Sequence, residues 1–520
     1  MSTSSLWQDV CALDDILVNT GACALVDNRQ VAVFRTRDGV YAMDNADPKG
    51  GANVLSRGIV GDLKGQVVVA SPLYKHHYEL ATGRCLEEPE IYVPTHRVRL
   101  RGQRVEVRRP SGAVSRQSGR RRLVVVGNGM AGMRALEELL SAAPHLYDIT
   151  VFGGEPRGGY NRVLLSSMLS GERDFDQIAG HDVAWYDEHS ITLHSGDPVV
   201  SIDRVRREVV SRSGLRCGFD RLLLATGATP ACLGVPGESL PGVRAFRDVE
   251  DVEAMLGAAA KGGRAVVIGG GLLGVEAAAG LAIRGMTVTL LHNSDNLMDR
   301  QLDAEAGNLL RESLAQRGID IRMGVRTQEI VGGQRVEAVV LENGTRIAAD
   351  LVVTAIGIRP NIALARDAGL QCDRGILVDD TMQTYDPRIW AIGECIQHRN
   401  NTFGLVAPLW DQASVCAAHL AEWGSARYSA PPPAASLKVT GIDVFSAGDL
   451  HEDQDSQSIV LRDPERGIYK RIVLRGNRVC GAVLYGEVCD GAHYSDLMRE
   501  GANVDDLRET LLFGAIEGAA

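Results

Sequence analysis

Gly127-Asn128-Gly129-Met130-Ala131-Gly132 closes the apolar run Leu123 to Val126, and Gly269-Gly270-Gly271-Leu272-Leu273-Gly274 closes a second, Ala265 to Ile268. Each opens an alanine-rich stretch with helical spacing. Glycines placed this way let a strand-to-helix turn be tight and let the backbone approach a pyrophosphate, which then sits against the unpaired N–H groups of the helix N-terminus. One such match is weak, because glycines also serve ordinary turns. Two matches about 140 residues apart leave room for a separate βαβ unit of about 30 residues around each. The chain is therefore expected to hold two dinucleotides.

At 520 residues the chain has room for about three or four domains. Its formal charge of −11 and pI near 5.6 argue against nucleic acid or an anionic membrane as a partner. The short basic run Arg120 to Arg122 lies beside a strand and reads as a solvated linker end. Ala265 to Ile283 carries little charge, but its glycines and Glu276 break it into strand, loop and helix, so no membrane span is expected. Met1 to Val10 has neither the basic nor the apolar region of a signal peptide, which points to a cytoplasmic protein. Ten cysteines (Cys11, Cys23, Cys85, Cys217, Cys232, Cys372, Cys395, Cys416, Cys480 and Cys489) include no CxxC pair. That spacing offers no metal site, iron–sulfur cage or redox dithiol.

Residues 1–109 alternate short β-branched runs with turn signals, among them Val31 to Thr36, Val67 to Ser71, Tyr92 to Val93 and Val105 to Val107, and read as an all-β domain. A Ser, Gly and Arg-rich linker follows over 110–121. From 122 to 424, strand-like and helix-like segments alternate around both glycine turns, the pattern of a doubly wound α/β fold. Pro431-Pro432-Pro433 marks a second linker, 425–436. Residues 437–520 hold strand-like runs, the first from Val439 to Phe445, and then a helical tail, so a small α+β domain is expected.

Beyond the first turn, the strand Ile149 to Phe152 ends in Gly153-Gly154-Glu155, which places a carboxylate near a ribose diol. Leu222 to Pro230, Asp350 to Pro360 and Trp390 to Cys395 are apolar strands that each stop at glycine. Together and in this order these segments resemble the pyridine nucleotide-disulfide oxidoreductase superfamily, the two-dinucleotide flavoproteins. The resemblance implies FAD along Gly127, Gly129, Ala131 and Gly132, with Thr226, Gly227 and Glu394 near the flavin nucleotide. It also brings Arg162, Val199, Gly357 and Pro408 into the cofactor-binding set. A nicotinamide dinucleotide would lie on Gly269, Gly271 and Gly274, in a domain (243–348) inserted between two halves of the FAD domain (122–242 and 349–424).

Departures from the family pattern narrow the chemistry. Disulfide reductases carry a cysteine pair beside the flavin, whereas Gly159 to Ser167 contains none, so electrons are expected to leave for an external acceptor. Relatives that reduce ferredoxin or rubredoxin end this stretch in lysine, which pairs with a glutamate of the second helix. Ser167 stands there in this chain, and Glu276, the expected catalytic residue, is left either to shape the nicotinamide pocket or to make a structural hydrogen bond to the flavin-side loop. His292-Asn293-Ser294-Asp295 replaces the acid expected for a ribose 2′-hydroxyl, and Arg300 comes too late to clamp a 2′-phosphate. NADH is the expected donor, with NADPH left open.

In the N-terminal domain, Asp44-Asn45-Ala46-Asp47-Pro48-Lys49 and Ser71-Pro72-Leu73-Tyr74 stand where a Rieske domain has its Cys-Pro-His and Cys-Pro-x-His loops. Asp47, Lys49, Ser71 and Tyr74 replace the four ligands, so no iron–sulfur cluster is expected. His76 and His77 are adjacent on what reads as a strand and would point to opposite faces. The domain resembles the small subunit of assimilatory nitrite reductase. Tyr160 to Ser167, Met298 to Asp303, Ala391 to Cys395 and Phe403 to Pro408 look like the flavin portion of that enzyme's large subunit and of nitrate reductase electron-transfer subunits. In that family a sirohaem domain follows. Here none does before Ala520, so the chain is not expected to reduce nitrite by itself. The resemblance implies an FAD-dependent, NAD(P)H-oxidising component that feeds a molybdenum or sirohaem/iron–sulfur partner subunit. The rival readings are a stand-alone ferredoxin or rubredoxin reductase and a flavin-binding docking protein without turnover. A homodimer, with the C-terminal domain as one candidate face, stays open.

Overall fold

In the computed structural model, which describes residues 7–26, 29–37, 39–63, 65–88, 91–108, 120–422, 426–430, 434–439 and 441–514, the chain divides into an N-terminal unit and a second unit that begins at Arg120. The N-terminal unit is built from antiparallel sheets, as its turn-punctuated β-branched runs require. Trp7–Ala12 pairs with Arg104–Arg108, which pairs with Val98–Arg101. Thr20–Val26, Arg29–Arg35, Val40–Asp44 and Thr95–His96 form a second sheet, and Ile59–Leu63, Gln66–Ala70 and His77–Glu79 a third. Successive side chains of a strand face opposite ways, so Arg29–Arg35 serves two cores. Ala32 and Phe34 join Met43, Leu55, Val69 and Tyr78, whereas Val31 and Val33 join Val26, Val105 and Val107. Tyr92 makes only an isolated bridge to Arg84 and is not in a strand. His76 precedes the strand that starts at His77, so the two histidines are separated by a strand end.

The second unit holds two parallel sheets of the same design. One runs Thr192–His194, Tyr147–Phe152, Arg121–Val126, Arg221–Leu224, Ile389–Ala391. The other runs Val243–Ala245, Leu351–Thr354, Arg264–Ile268, Thr287–Leu291, Asp320–Arg322. The helix after each glycine turn, Met130–Ala142 or Leu272–Ile283, covers its sheet. Because Leu351–Thr354 is an inner strand of the second sheet, the boundary expected at 348/349 lies beyond this strand. Leu351, Val352 and Val353 are fully buried there. The chain returns to the first sheet through the antiparallel pair Ala228–Pro230 and Ile358–Pro360.

Tyr428, expected in a solvated linker, is 2 % exposed and packs its ring against His398 and Phe403. The C-terminal sheet begins at Ala434, inside the same expected linker. The run read as one strand from Val439 is two strands, Ala434–Val439 and Ile442–Gly448, joined at Gly441 with φ +72°. Three further strands and the helix Gly491–Glu500 complete it. Ile442, Val444, Tyr469, Val483 and Tyr485 share a core with Leu290, Leu302, Leu310 and Leu314 of the second dinucleotide domain. The first linker lies outside the described residues up to 119. No helix among the described residues is long and apolar enough to cross a membrane.

Candidate functional site

The two glycine turns are built alike. Gly127 has φ +114°, and a Cβ there would lie 2.1 Å from the carbonyl oxygen of Ala225 on the neighbouring strand end. Gly269 has φ +116°, and its Cβ would lie 2.4 Å from the carbonyl of Ala355. Glycine is required at both places for conformation and for space. A Cβ at Gly132 or Gly274 would meet the carbonyl oxygen of its own first glycine, at 2.6 and 1.7 Å. Nothing lies within 4 Å of a Cβ at Gly129 or Gly271, so the open side of each turn has room for a ligand. Neither following helix is capped by a side chain, which leaves its first N–H groups for an anion.

The first turn opens into a cleft walled by Gly127, Gly129, Ala131, Glu155, Arg162, Thr226, Gly227 and Glu394, among others. Gly132, Val199, Gly357 and Pro408 are not on that wall. Val199 is buried at the start of the strand Val199–Asp203. Pro408 is buried in the first turn of the helix Ala407–Leu420, where Val406 and Leu409 face the cleft instead. Asn128, Tyr160 and Arg247 also line it, and none of the three was in the expected cofactor-binding set.

These residues form one polar network. Glu155 accepts a hydrogen bond from the Tyr160 hydroxyl at 2.8 Å and pairs with Arg162. Arg162 also donates to the carbonyl oxygen of Arg247 at 3.0 Å. Arg247 in turn pairs with Glu394, both side chains 15 % exposed. Its backbone N–H donates at 2.9 Å to Asp251, a carboxyl pushed up to about 6 by burial and by nearby Asp248. Burial, with Glu155 beside it, also pushes the Tyr160 phenol up, so it stays a donor. Two buried donors have no partner here, Asn128 Nδ2 and Arg247 Nε. Buried donors left unmade cost about 1–3 kcal/mol each, and a dinucleotide rich in acceptors can answer them. Carboxylates suited to ribose and ribityl hydroxyls, two guanidinium groups and an uncapped helix start together fit FAD.

Between the two dinucleotide domains, Glu276 lies one turn into the helix Leu272–Ile283, opposite the helix Leu165–Ser170. Its carboxyl keeps slight solvent contact but is densely surrounded. Burial pushes it up to about 8, and a hydrogen bond with Ser166, not Ser167, draws it partly back. The two helices meet where Gly280 sits against Leu169 and Arg284 donates to the Leu169 carbonyl at 2.7 Å. All ten cysteines are free. Cys395, beside Glu394, is buried, and its thiol donates to the Ile392 carbonyl at 3.2 Å.

The Rieske-type loops of the N-terminal unit hold a different arrangement. Asp47 and Ser71 are fully buried and hydrogen-bond each other. Asp47 also accepts from the Lys49 backbone N–H at 2.9 Å and from the Tyr78 hydroxyl at 3.3 Å. Lys49 pairs with Glu88, which also meets His76 Nε2 at 3.1 Å, while His77 meets Glu87 at 2.6 Å and Tyr74 is exposed. A Rieske centre needs two thiolates and two imidazoles. Asp47, Ser71 and Tyr78 bond to one another, Lys49 and His76 to Glu88, and the set does not fit such a cluster. No metal-ligating group of three His, Cys, Asp or Glu occurs among the described residues. Asp47→Ala would strand Ser71, Tyr78 and the Lys49 N–H. It is expected to lower stability by about 2–3 kcal/mol, seen as a fall in the melting of this unit, while flavin content stays unchanged.

Residues 121–418 match the pyridine nucleotide-disulphide oxidoreductase family, 6–108 the Rieske-like [2Fe-2S] domain, and 433–502 the rubredoxin NAD+ reductase C-terminal domain. Nitrite reductase [NAD(P)H] of Bacillus subtilis (strain 168) is 45 % identical over 388 residues, which cover 75 % of this chain and 48 % of that one. The assimilatory nitrate reductase electron transfer subunit of the same organism is 39 % identical over 393 residues, covering 76 % and 51 %. The chain thus spans about half the length of these relatives. Among solved structures, the covalent putidaredoxin reductase–putidaredoxin complex superposes with a TM-score of 0.69 at 27 % identity, over 77 % of this chain and 97 % of that one.

Proposed function

Given that the chain belongs to the pyridine nucleotide-disulphide oxidoreductase family, we propose that it oxidises NAD(P)H with FAD as its resident cofactor and passes the electrons to a metal-bearing partner subunit. It would thereby serve as the electron-transfer component of an assimilatory nitrate reductase or nitrite reductase, in line with its relatives. One observation carries the reading. Two glycine turns of matching geometry stand on adjoining sheets, yet Gly159 to Ser167 holds no cysteine to receive electrons within the chain. Bound FAD would accept a hydride and release electrons singly.

The chain's own residues bind, orient and exclude water. Glu155 and Glu394 hold sugar hydroxyls, Arg162 and Arg247 offset phosphate charge, and the uncapped helix starts take the pyrophosphates. Glu276 shapes the nicotinamide pocket as a neutral acid near pH 7, so that it places no fixed negative charge between the domains. The N-terminal unit is a docking or scaffolding piece. NADH is the donor of choice, and the ratio of initial rates with NADH and NADPH checks this. A clear NADPH preference would reverse it.

The raised Glu276 carboxyl makes stability fall with pH. Between about 4.5 and about 8 the folded chain keeps a proton that the unfolded chain has lost, so the group's contribution is complete below that window and fades as pH rises through it. Glu276→Gln mimics the neutral acid without titrating. Its melting temperature should lie near that of wild type at pH 5 and exceed it by pH 8.5, by the equivalent of about 4 kcal/mol at about 1.4 kcal/mol per pH unit. A gap independent of pH would contradict the assignment.

Anaerobic addition of NADH to the purified flavoprotein is expected to bleach the flavin absorbance, and absence of bleaching would remove the enzyme reading. The match at 433–502 favours a second reading, a stand-alone ferredoxin or rubredoxin reductase. Cytochrome c reduction that depends on added ferredoxin would support it.

A further inference from the structure

We propose that His292 is a positioning residue for the nicotinamide dinucleotide, holding the second glycine turn in its phosphate-receiving form. The inference deepens the proposed function and rests on it.

His292 follows the strand Thr287–Leu291, where Rossmann-type sites carry an acid that meets the ribose. It is 8 % exposed, so its ring does not reach into solvent. Its backbone is fixed on the sheet edge: its N–H donates to the Arg322 carbonyl at 2.9 Å, and its own carbonyl accepts from Val325 at 3.0 Å. Nδ1 accepts the backbone N–H of Gly270 at 3.1 Å. A backbone amide can only donate, so Nδ1 is the acceptor in this bond.

Gly270 is the residue between the first two fingerprint glycines, and both of its backbone groups are taken. Its N–H goes to His292, and its carbonyl accepts the Met298 N–H at 2.8 Å. A Cβ at Gly270 would lie 2.7 Å from the His292 ring and 2.7 Å from Leu297. The turn is therefore seated on the loop that runs from His292 to Met298. In the first turn the matching position is Asn128, whose side chain lines the FAD cleft. The consequence is directional. With the Gly270 amide turned onto the imidazole, the pyrophosphate is left to the amides from Gly271 onward, where the turn is open.

The far end of the loop is anchored as well. Asn296 Nδ2 donates to the carbonyls of Leu302 and Asp303 at 3.1 and 3.2 Å. Asp303 caps the helix Ala304–Gln316 through the Ala306 N–H and accepts from Tyr469 at 2.7 Å and Arg471 at 3.0 Å, both on the C-terminal sheet. His292 is thus the side chain that, with the Met298 N–H, ties a loop fixed at its far end to the turn that receives the nucleotide.

The test uses the full-length, FAD-loaded chain with two variants. Asparagine places an acceptor oxygen where Nδ1 lies, whereas leucine keeps apolar bulk and removes the acceptor. Calorimetric titration with NAD+ should show Kd raised about tenfold in His292→Leu and restored to within about threefold of wild type in His292→Asn. KM for NADH should follow Kd while kcat moves less than about twofold. Flavin content and melting temperature report folding. The proposal is overturned if His292→Leu binds NAD+ as wild type does, or if a folded His292→Asn binds as weakly as His292→Leu. Wild type that bound no nicotinamide dinucleotide would instead remove the function reading beneath it.

Discussion

Gly274→Val is expected to yield a yellow, flavin-loaded protein that NADH no longer bleaches at a measurable rate. A Cβ at Gly274 would sit 1.7 Å from the carbonyl oxygen of Gly269, far inside contact distance. The helix Leu272–Ile283 must then move away from the turn, taking with it the amides that would receive a pyrophosphate. Overpacking of this kind costs about 1–3 kcal/mol of stability, which a unit of this size can absorb. Loss of aligned amides and helix dipole at a doubly charged ligand costs more in binding. The apparent KM for NADH should rise more than about 100-fold, readable in stopped-flow bleaching. A KM within about threefold of wild type would mean that the second turn is not the nicotinamide site.

Gly127→Val is expected to give the complementary failure, a colourless protein. At φ +114° a β-branched residue is strained, and its Cβ would meet the Ala225 carbonyl at 2.1 Å. The strand ends of Arg121–Val126 and Arg221–Leu224 would be forced apart where Thr226 and Gly227 line the cleft. The ratio of flavin to protein after purification should fall below about one tenth of wild type, with no recovery on adding excess FAD. Retained far-ultraviolet circular dichroism shows that the fold survives. Both variants together make the argument, because each turn is assigned to one nucleotide and each variant should lose only its own.

The glycine turns were legible because their spacing answers local requirements: a positive φ at the first glycine, and no room for a Cβ at the first and third. The positive φ and the clash of the third glycine with the carbonyl of the first act within about six residues and leave a mark in the sequence, whereas the space at the first glycine is closed by Ala225 or Ala355 at a neighbouring strand end. The strand Leu351–Thr354 shows the opposite case. Its apolar run reads the same in either sheet, and only pairing with Arg264–Ile268 and Val243–Ala245 assigns it to the second. Arg247 could not be found from sequence, because its partners Arg162 and Glu394 lie 85 and 147 residues away. A lone arginine before a helix N-cap carries no signal of a cleft. Tyr428 was hidden by the prolines that follow it, which pointed to a linker. Glu276 was readable as unusual from the serine at 167, but Ser166 emerged as its partner only from the packing of the two helices.

The fit of the emptied Rieske loops follows from the same logic. Asp47, Lys49, Ser71 and Tyr74, which stand where the four ligands would be, are not the two thiolates and two imidazoles that a Rieske centre needs. That Asp47, Ser71 and Tyr78 then bond to one another could be learned only from the fold. Buried polar groups generally find partners, and Asp47, Ser71 and Tyr78 find one another.

In the proposed function, electrons enter at one turn, reach the cleft beside the other and pass to a partner subunit. Anaerobic protein bleached with one equivalent of NADH, mixed with nitrate alone and then with nitrate plus the molybdenum-bearing partner subunit, examines this directly. The account predicts that flavin colour returns, with nitrate consumed in step, only when the partner is present. Return of colour with nitrate and no partner, or a bleached flavin that persists with the partner and yields only to added ferredoxin or rubredoxin, would contradict it.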